Sequence, residues 1–185
     1  MSRFLALLLP AFVLFTGCMA AKHQPVQAPG SMAVSSAACM ASLDSTEVQA
    51  VPASLEAAMA ALLEDRNLRP VAVPADSFLG PFATKRTPQH RLALIADVST
   101  DTELLFLVET TAAYYSQMNG RYRWTVDVDA TISPRSDLSE AFSAQFQVPV
   151  FLDHYHEKEA AALEASVPLL ERRLGALLDA YLGGL

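Results

Sequence analysis

Residues 121–133 alternate between apolar and polar side chains without interruption. Tyr122, Trp124, Val126, Val128, Ala130 and Ile132 share one side, and Arg121, Arg123, Thr125, Asp127, Asp129 and Thr131 share the other. A period of two is imposed by a β-strand, whose successive side chains point to opposite faces. The segment is therefore expected to be a half-buried strand and not an amphipathic helix. Residues 103–117 are apolar and β-rich, and Asn119-Gly120 marks a hairpin turn between the two. A two-residue turn would set odd positions against even ones and bring Glu109 beside Ala130 on the buried face. A three-residue loop, Met118-Asn119-Gly120, pairs even with even. It sets Phe106, Val108, Thr110, Ala112 and Tyr114 against Ile132, Ala130, Val128, Val126 and Trp124. Apolar then meets apolar, so this register is expected, with Gly120 in the left-handed position of a bulge. On the polar side it places Tyr115 opposite Arg123, a cation–π pairing, and Glu109 opposite Asp129 with Asp127 beside it. Like charges so placed cost stability unless a cation, a basic side chain or a basic partner meets them.

Around this hairpin the signals alternate. Residues 32–43 are read as a strand rich in Ala and Ser. Residues 52–68 form a helix with Pro52 in its first turn and Leu55, Met59, Leu62 and Leu63 at helical spacing. Residues 69–74 are a short strand, and residues 76–86 a loop around Gly80 and Pro81. Thr87-Pro88 opens another helix, with Leu92, Leu94 and Ile95 behind it. Residues 141–150 alternate again, with Phe142, Phe146, Val148 and Val150 inward. Residues 157–181 form a long helix whose apolar stripe is Leu163, Val167, Leu170, Leu174, Leu177, Leu178 and Tyr181, with Pro168 kinking or restarting it. The expectation is a single α/β (α+β) domain over residues 32–185, ordered β-α-β-α-β-β-β-α. Its mixed sheet has helices mainly on one face.

The amino terminus differs in kind. After Met1-Ser2-Arg3, residues 4–15 are an unbroken apolar run with one proline. The run suits the core of a signal peptide and falls short of the roughly 20 residues of a membrane-spanning helix. Leu14-Phe15-Thr16-Gly17-Cys18 resembles the bacterial lipobox. That family joins the cysteine thiol to diacylglycerol, cuts the preceding bond and acylates the new amino group. The resemblance implies a signal peptide over residues 1–17, a lipid on Cys18 and a membrane as partner. One departure is Phe15, where the family usually has an aliphatic residue; Leu14 sits one place early. An ordinary secretory signal with a coincidental cysteine is the other reading. Acyl chains in twos or threes anchor stably where one does not. Met19 and Ala20 follow the cysteine; without an Asp there, the pattern resembles that of outer-membrane lipoproteins facing the periplasm. Residues 19–31 carry Lys, His, Gln, two prolines and a glycine, and read, with Cys18, as a tether. Its roughly 13 residues reach about 45 Å at most.

The element order, and the passage from Leu92 to Ile132 containing NGRYRWTVDVDATI before the closing helix, resemble a periplasmic domain of several envelope proteins. These are the amino-terminal domain of the Tol-system propeller protein, the curli-export lipoprotein and the outer-membrane activators of penicillin-binding proteins. Lipoproteins that help assemble lipopolysaccharide or phospholipid transporters have a similar outline. The resemblance spans residues 32–182 and carries no signature residue.

The chemistry is sparse. The formal net charge is −7, and removing Arg3 from the 13 basic residues leaves 12 against 20 acidic ones in the rest. Dispersed acidity argues against nucleic acid as a partner. Of the two cysteines, Cys39 is left unpaired if Cys18 is acylated. Its small apolar neighbours point to burial over bridging to another chain. His154-Tyr155-His156-Glu157 alone has metal-ligand character, but spacing supplies no third ligand, and an exposed junction before a helix explains it equally. Trp124 and Tyr122 face the core. No nucleophile elbow, phosphate loop, zincin motif, Cys-x-x-Cys or dinucleotide fingerprint occurs. The expected function is thus that of a non-catalytic, lipid-anchored accessory or assembly factor for an envelope protein complex, needing no cofactor and no metal. Its candidate partner surface is Glu109, Tyr115, Arg123, Asp127 and Asp129. An envelope small-ligand or metal binder is the alternative, and an envelope hydrolase a third reading that lacks a recognisable site.

Overall fold

A computed structural model describes residues 32–43, 47–84, 87–154 and 156–184. The signal peptide, Cys18 and the tether expected for residues 1–31 lie outside the described residues. The alternating segment is strand β5 (Arg121–Pro134), and it pairs antiparallel with the longer strand β4 (Leu104–Met118). Phe106 faces Ile132, Val108 faces Ala130, Thr110 faces Val128, Ala112 faces Val126 and Tyr114 faces Trp124, the register that apolar matching demands.

The turn differs from expectation. Met118 pairs with Arg121, so the connection is the two-residue Asn119-Gly120, with both φ angles positive at 52° and 79°. These are the conformations a primed hairpin turn requires, and Asn-Gly accepts them at little cost. The bulge lies at Tyr115, between Tyr114 opposite Trp124 and Ser116 opposite Arg123, and not at Gly120. Turn chemistry asks for one register and core matching for the other. One inserted residue reconciles them. Tyr115 is therefore not directly opposite Arg123 in the ladder.

Strand β1 (Ala33–Ala41) lies parallel to β4. It also pairs parallel with β3 (Arg69–Ala72) and antiparallel with the three-residue β2 (Val48–Ala50), which the sequence reading did not foresee. On the far side β6 (Phe142–Leu152) pairs antiparallel with β5. The mixed six-stranded sheet runs β2-β1-β4-β5-β6, with β3 attached to β1.

Four α-helices are described. α1 (Ala53–Glu64) and α4 (Glu159–Leu182) cover one face, where Leu55, Met59, Leu63, Leu163, Leu170, Leu174 and Leu178 meet Val34, Phe106, Val108, Val126, Ala130 and Ile132. α1 ends in a Schellman turn: Asn67 is left-handed at φ 57°, and the N–H groups of Asn67 and Leu68 donate to the carbonyls of Glu64 and Leu63 at 2.9 and 3.0 Å. α4 runs unbroken through Pro168, carried by the leucines on either side.

Helices were expected mainly on one face, but the second face holds α2 (Ala75–Thr84) and α3 (Pro88–Val98), because Leu105 and Leu107 make that face apolar too. Thr87 caps α3, its side chain accepting from the His90 N–H at 3.3 Å. Residues 76–86 were expected to be a loop, and α2 corrects this; Lys85 and Arg86 lie outside the described residues. Phe78 and Phe82, one helical turn apart, are fully buried with Leu92, Ile95, Leu105 and Leu107. Burying each ring stabilises by about 2–3 kcal/mol, and together they outweigh roughly 3 kcal/mol for Pro81 inside the helix. Cys39 is buried in this cluster, and burial pushes its thiol up to about 11, only partly offset by the nearby Arg91.

Candidate functional site

α2 and α3 cover only part of the second face. The uncovered part belongs to the odd-numbered residues of β4, β5 and β6. Together with Ala41, Pro88 and Arg91 they line a groove of about 500 Å³ that includes Glu109, Thr111, Asp127, Asp129, Gln145 and Gln147. Period-two alternation puts all these strand residues on one side, and the register then ranks them in rows. Cys39, Glu109, Asp129 and Gln145 form one row, and Thr111, Asp127 and Gln147 the next.

Each carboxylate in the groove has a partner. Glu109 is ion-paired with Arg91 of α3, both side chains being 13% exposed. Arg91 also donates to the Phe82 carbonyl at 3.1 Å and lies over the Phe82 ring, which fixes its reach. The Gln145 side-chain amide donates to Asp129 at 2.8 Å, and that of Gln147 to Asp127 at 2.6 Å. The like charges Glu109 and Asp129 do face each other, and the repulsion is met by a basic side chain from another element. The two glutamines are neutral and bring no opposite charge to the half-buried Asp127 and Asp129, so the groove floor keeps a strip of carboxylates.

Next to the groove, along the hairpin, the Arg123 guanidinium lies 4.4 Å from the Tyr115 ring centroid. The contact expected from direct opposition is thus made through the bulge, and Tyr115 is 66% exposed. Trp124 is buried and Tyr122 half-buried on the helix-covered face, with Tyr114 edge-on to Trp124 at 5.8 Å. Of the five residues anticipated as a surface, Glu109, Asp127 and Asp129 share the groove, and Tyr115 and Arg123 form a separate pair on the same face.

Sequence reasoning missed Arg91, Gln145 and Gln147. The two glutamines were legible in principle, since they alternate with Phe146 and Val148 in a recognised strand. Nothing in the sequence aims Arg91 at a strand that begins more than ten residues later. At the β6–α4 junction the His154 and His156 rings stack at 5.5 Å, and the His154 N–H donates to Glu157 at 2.8 Å. Tyr155 lies outside the described residues. Among the described residues no three His, Cys, Asp or Glu side chains converge at metal-binding distance. No described helix is long and apolar enough to cross a membrane.

These features define a single-domain α/β (α+β) protein with a mixed six-stranded sheet and four described helices. No protein-family model and no curated protein matches the sequence. Solved structures with a similar fold include lipoprotein GNA1162 of Neisseria meningitidis, at 13% identity and TM-score 0.42, covering 78% of this chain and 99% of that one. Hypothetical protein CT253 of Chlamydia trachomatis matches at 12% identity and TM-score 0.46, over 83% and 96%. Rare lipoprotein B of Shewanella oneidensis matches at 11% identity and TM-score 0.35, over 80% and 92%.

Proposed function

We propose that the chain is a bacterial envelope lipoprotein, anchored through lipid on Cys18, probed from the outer membrane into the periplasm by its tether, and acting without catalysis as an accessory to an envelope protein complex. The uncovered part of the second sheet face is its partner surface. The observation that carries this reading is the groove itself. It is about 500 Å³ and floored by carboxylates, two of them hydrogen-bonded to glutamine amides. Such a surface suits a basic segment of a partner, because opposite charge steers encounter and fixes register. The lipobox-like sequence supplies the anchor, and a tether of about 45 Å at most keeps the domain close to its membrane.

Two measurements test it. Mass spectrometry of the mature amino terminus should find diacylglyceryl and N-acyl groups on Cys18, and Cys18→Ser should abolish both the lipid and the lipid-dependent cut, leaving a longer chain that keeps residues 1–17. A Cys18→Ser product with the same amino terminus and gel mobility as the wild type refutes the anchor. Affinity capture of the intact protein from detergent-solubilised envelope should recover a partner that an Asp127→Lys/Asp129→Lys variant loses. Equal recovery by the variant refutes the groove as the partner surface.

A further inference from the structure

The edges of the sheet are guarded unequally. An end strand presents unpaired N–H and C=O groups, and proteins commonly shorten, charge, bulge or cover it. β2 has three residues. Pairing of β4 with β1 stops at Thr110, and the margin beyond carries the Tyr115 bulge. At the opposite end β6 runs from Phe142 to Leu152 and, among the described residues, bonds to β5 alone. Its sequence, FSAQFQVPVFL, holds no charged residue in a chain whose net charge is −7.

Pro149 reveals which groups face outward. In an antiparallel ladder, alternate residues bond to a given neighbour. Pro149 lies opposite Thr125 and has no N–H, so the ladder stays intact when position 149 belongs to the outward set. Ser143, Gln145 and Gln147 share its parity. The outward run is therefore unbroken from Phe142 to Val148 and stops at Pro149.

We propose that this edge joins a second copy of the chain, β6 to β6 antiparallel, about a two-fold axis at Gln145. Identical antiparallel strands are self-complementary, so the contact closes as a dimer. Charge permits a copy here on an acidic chain, because Phe142–Val148 brings no charge against its own image. Asp127 and Asp129 sit one strand inward beneath Gln147 and Gln145. Asp129 would stand about 14 Å from its image, three strand spacings away, and Asp127 farther still. That exceeds the roughly 10 Å screening length at 0.1 M salt. Pro149 selects the register. Gln145 against itself opposes Ser143 to Gln147, Ala144 to Phe146 and Phe142 to Val148, and makes about six new backbone hydrogen bonds. Phe142, 42% exposed, and the half-buried Phe146 then gain apolar cover on the helix-bearing side. Centring on Phe146 would oppose Ser143 to Pro149 and forfeit a donor.

The test uses the full-length chain with Gln145→Cys, mildly oxidised and run on a non-reducing gel, with folding checked by Trp124 fluorescence. Opposed residues at the axis lie about 5.5 Å apart, within reach of a disulfide. A covalent species of twice the mass of the wild-type chain is expected. Gln147→Cys, about 13 Å from its image, should not bridge, whereas Ser143→Cys/Gln147→Cys should. Of the native cysteines, Cys39 is buried and Cys18 would be capped by lipid, so the wild type should give no covalent dimer. The proposal is overturned if a maleimide labels Gln145→Cys yet no dimer forms, or if the 145 and 147 variants bridge equally. Sedimentation of the wild type in detergent gives an independent reading; a monomer at every concentration overturns the proposal even if the variants misfold.

Discussion

Arg91→Met should destabilise the protein by about 3 kcal/mol. The Arg91–Glu109 pair is the joint between α3 and the sheet, and both side chains are only 13% exposed. Removing one member of a fully buried pair costs roughly 3–5 kcal/mol, because the surviving charge is left without a counterion. The groove admits water beside Glu109, which places the cost at the lower end. Glu109 is also directly opposite Asp129, so the substitution leaves two facing carboxylates uncompensated. Arg91→Met/Glu109→Leu removes the orphaned charge along with its partner and should recover most of the loss. A residue of about 1 kcal/mol remains for the lost bond to the Phe82 carbonyl. Urea unfolding followed through Trp124, the chain's single tryptophan, measures Arg91→Met, Glu109→Leu and the double variant in one double-mutant cycle. A loss below 0.5 kcal/mol for Arg91→Met, on the order of a surface pair, would refute the reasoning. So would a double variant worse than the sum of the singles.

Phe82→Ala empties a fully buried site under Arg91 and should cost about 3–5 kcal/mol in the same urea assay, confirming that residues 75–84 are packed helix and not loop. Gly120→Ala forces a side chain into φ 79° and should cost about 1–2 kcal/mol, read as a drop in Tm, although nothing crowds the site. Cys39 should resist maleimide below pH 9 until the protein is unfolded, since its thiol is pushed up to about 11. The unfolded thiol, near 9.0, loses its proton first. Stability is therefore intact below about pH 9 and falls between pH 9 and 11 by up to about 1.4 kcal/mol per pH unit. Cys39→Ala should flatten that slope, which unfolding curves at pH 8 and 10.5 will show.

The alternation in residues 121–133 and the facing apolar run determined the hairpin and the parity of its core register, because a slip of one residue would set apolar against polar. The leucine spacing within residues 52–68 and 157–181 likewise announced two helices, though not that α2 and α3 would take the opposite face. Three features needed the folded chain. α2 formed across Gly80 and Pro81 because two phenylalanines found a cluster to enter, a gain invisible to local propensity. The bulge settled at Tyr115 because the turn and the core each imposed a register, and the conflict was resolved at an exposed margin, where an unpaired residue costs least. The groove took shape only when α3 carried Arg91 over Glu109. The sequence alone could place the acids on one side of a strand, since that follows from backbone geometry. Which of them would be neutralised, and by what, depended on how separate elements pack in space, and local sequence carries no record of that.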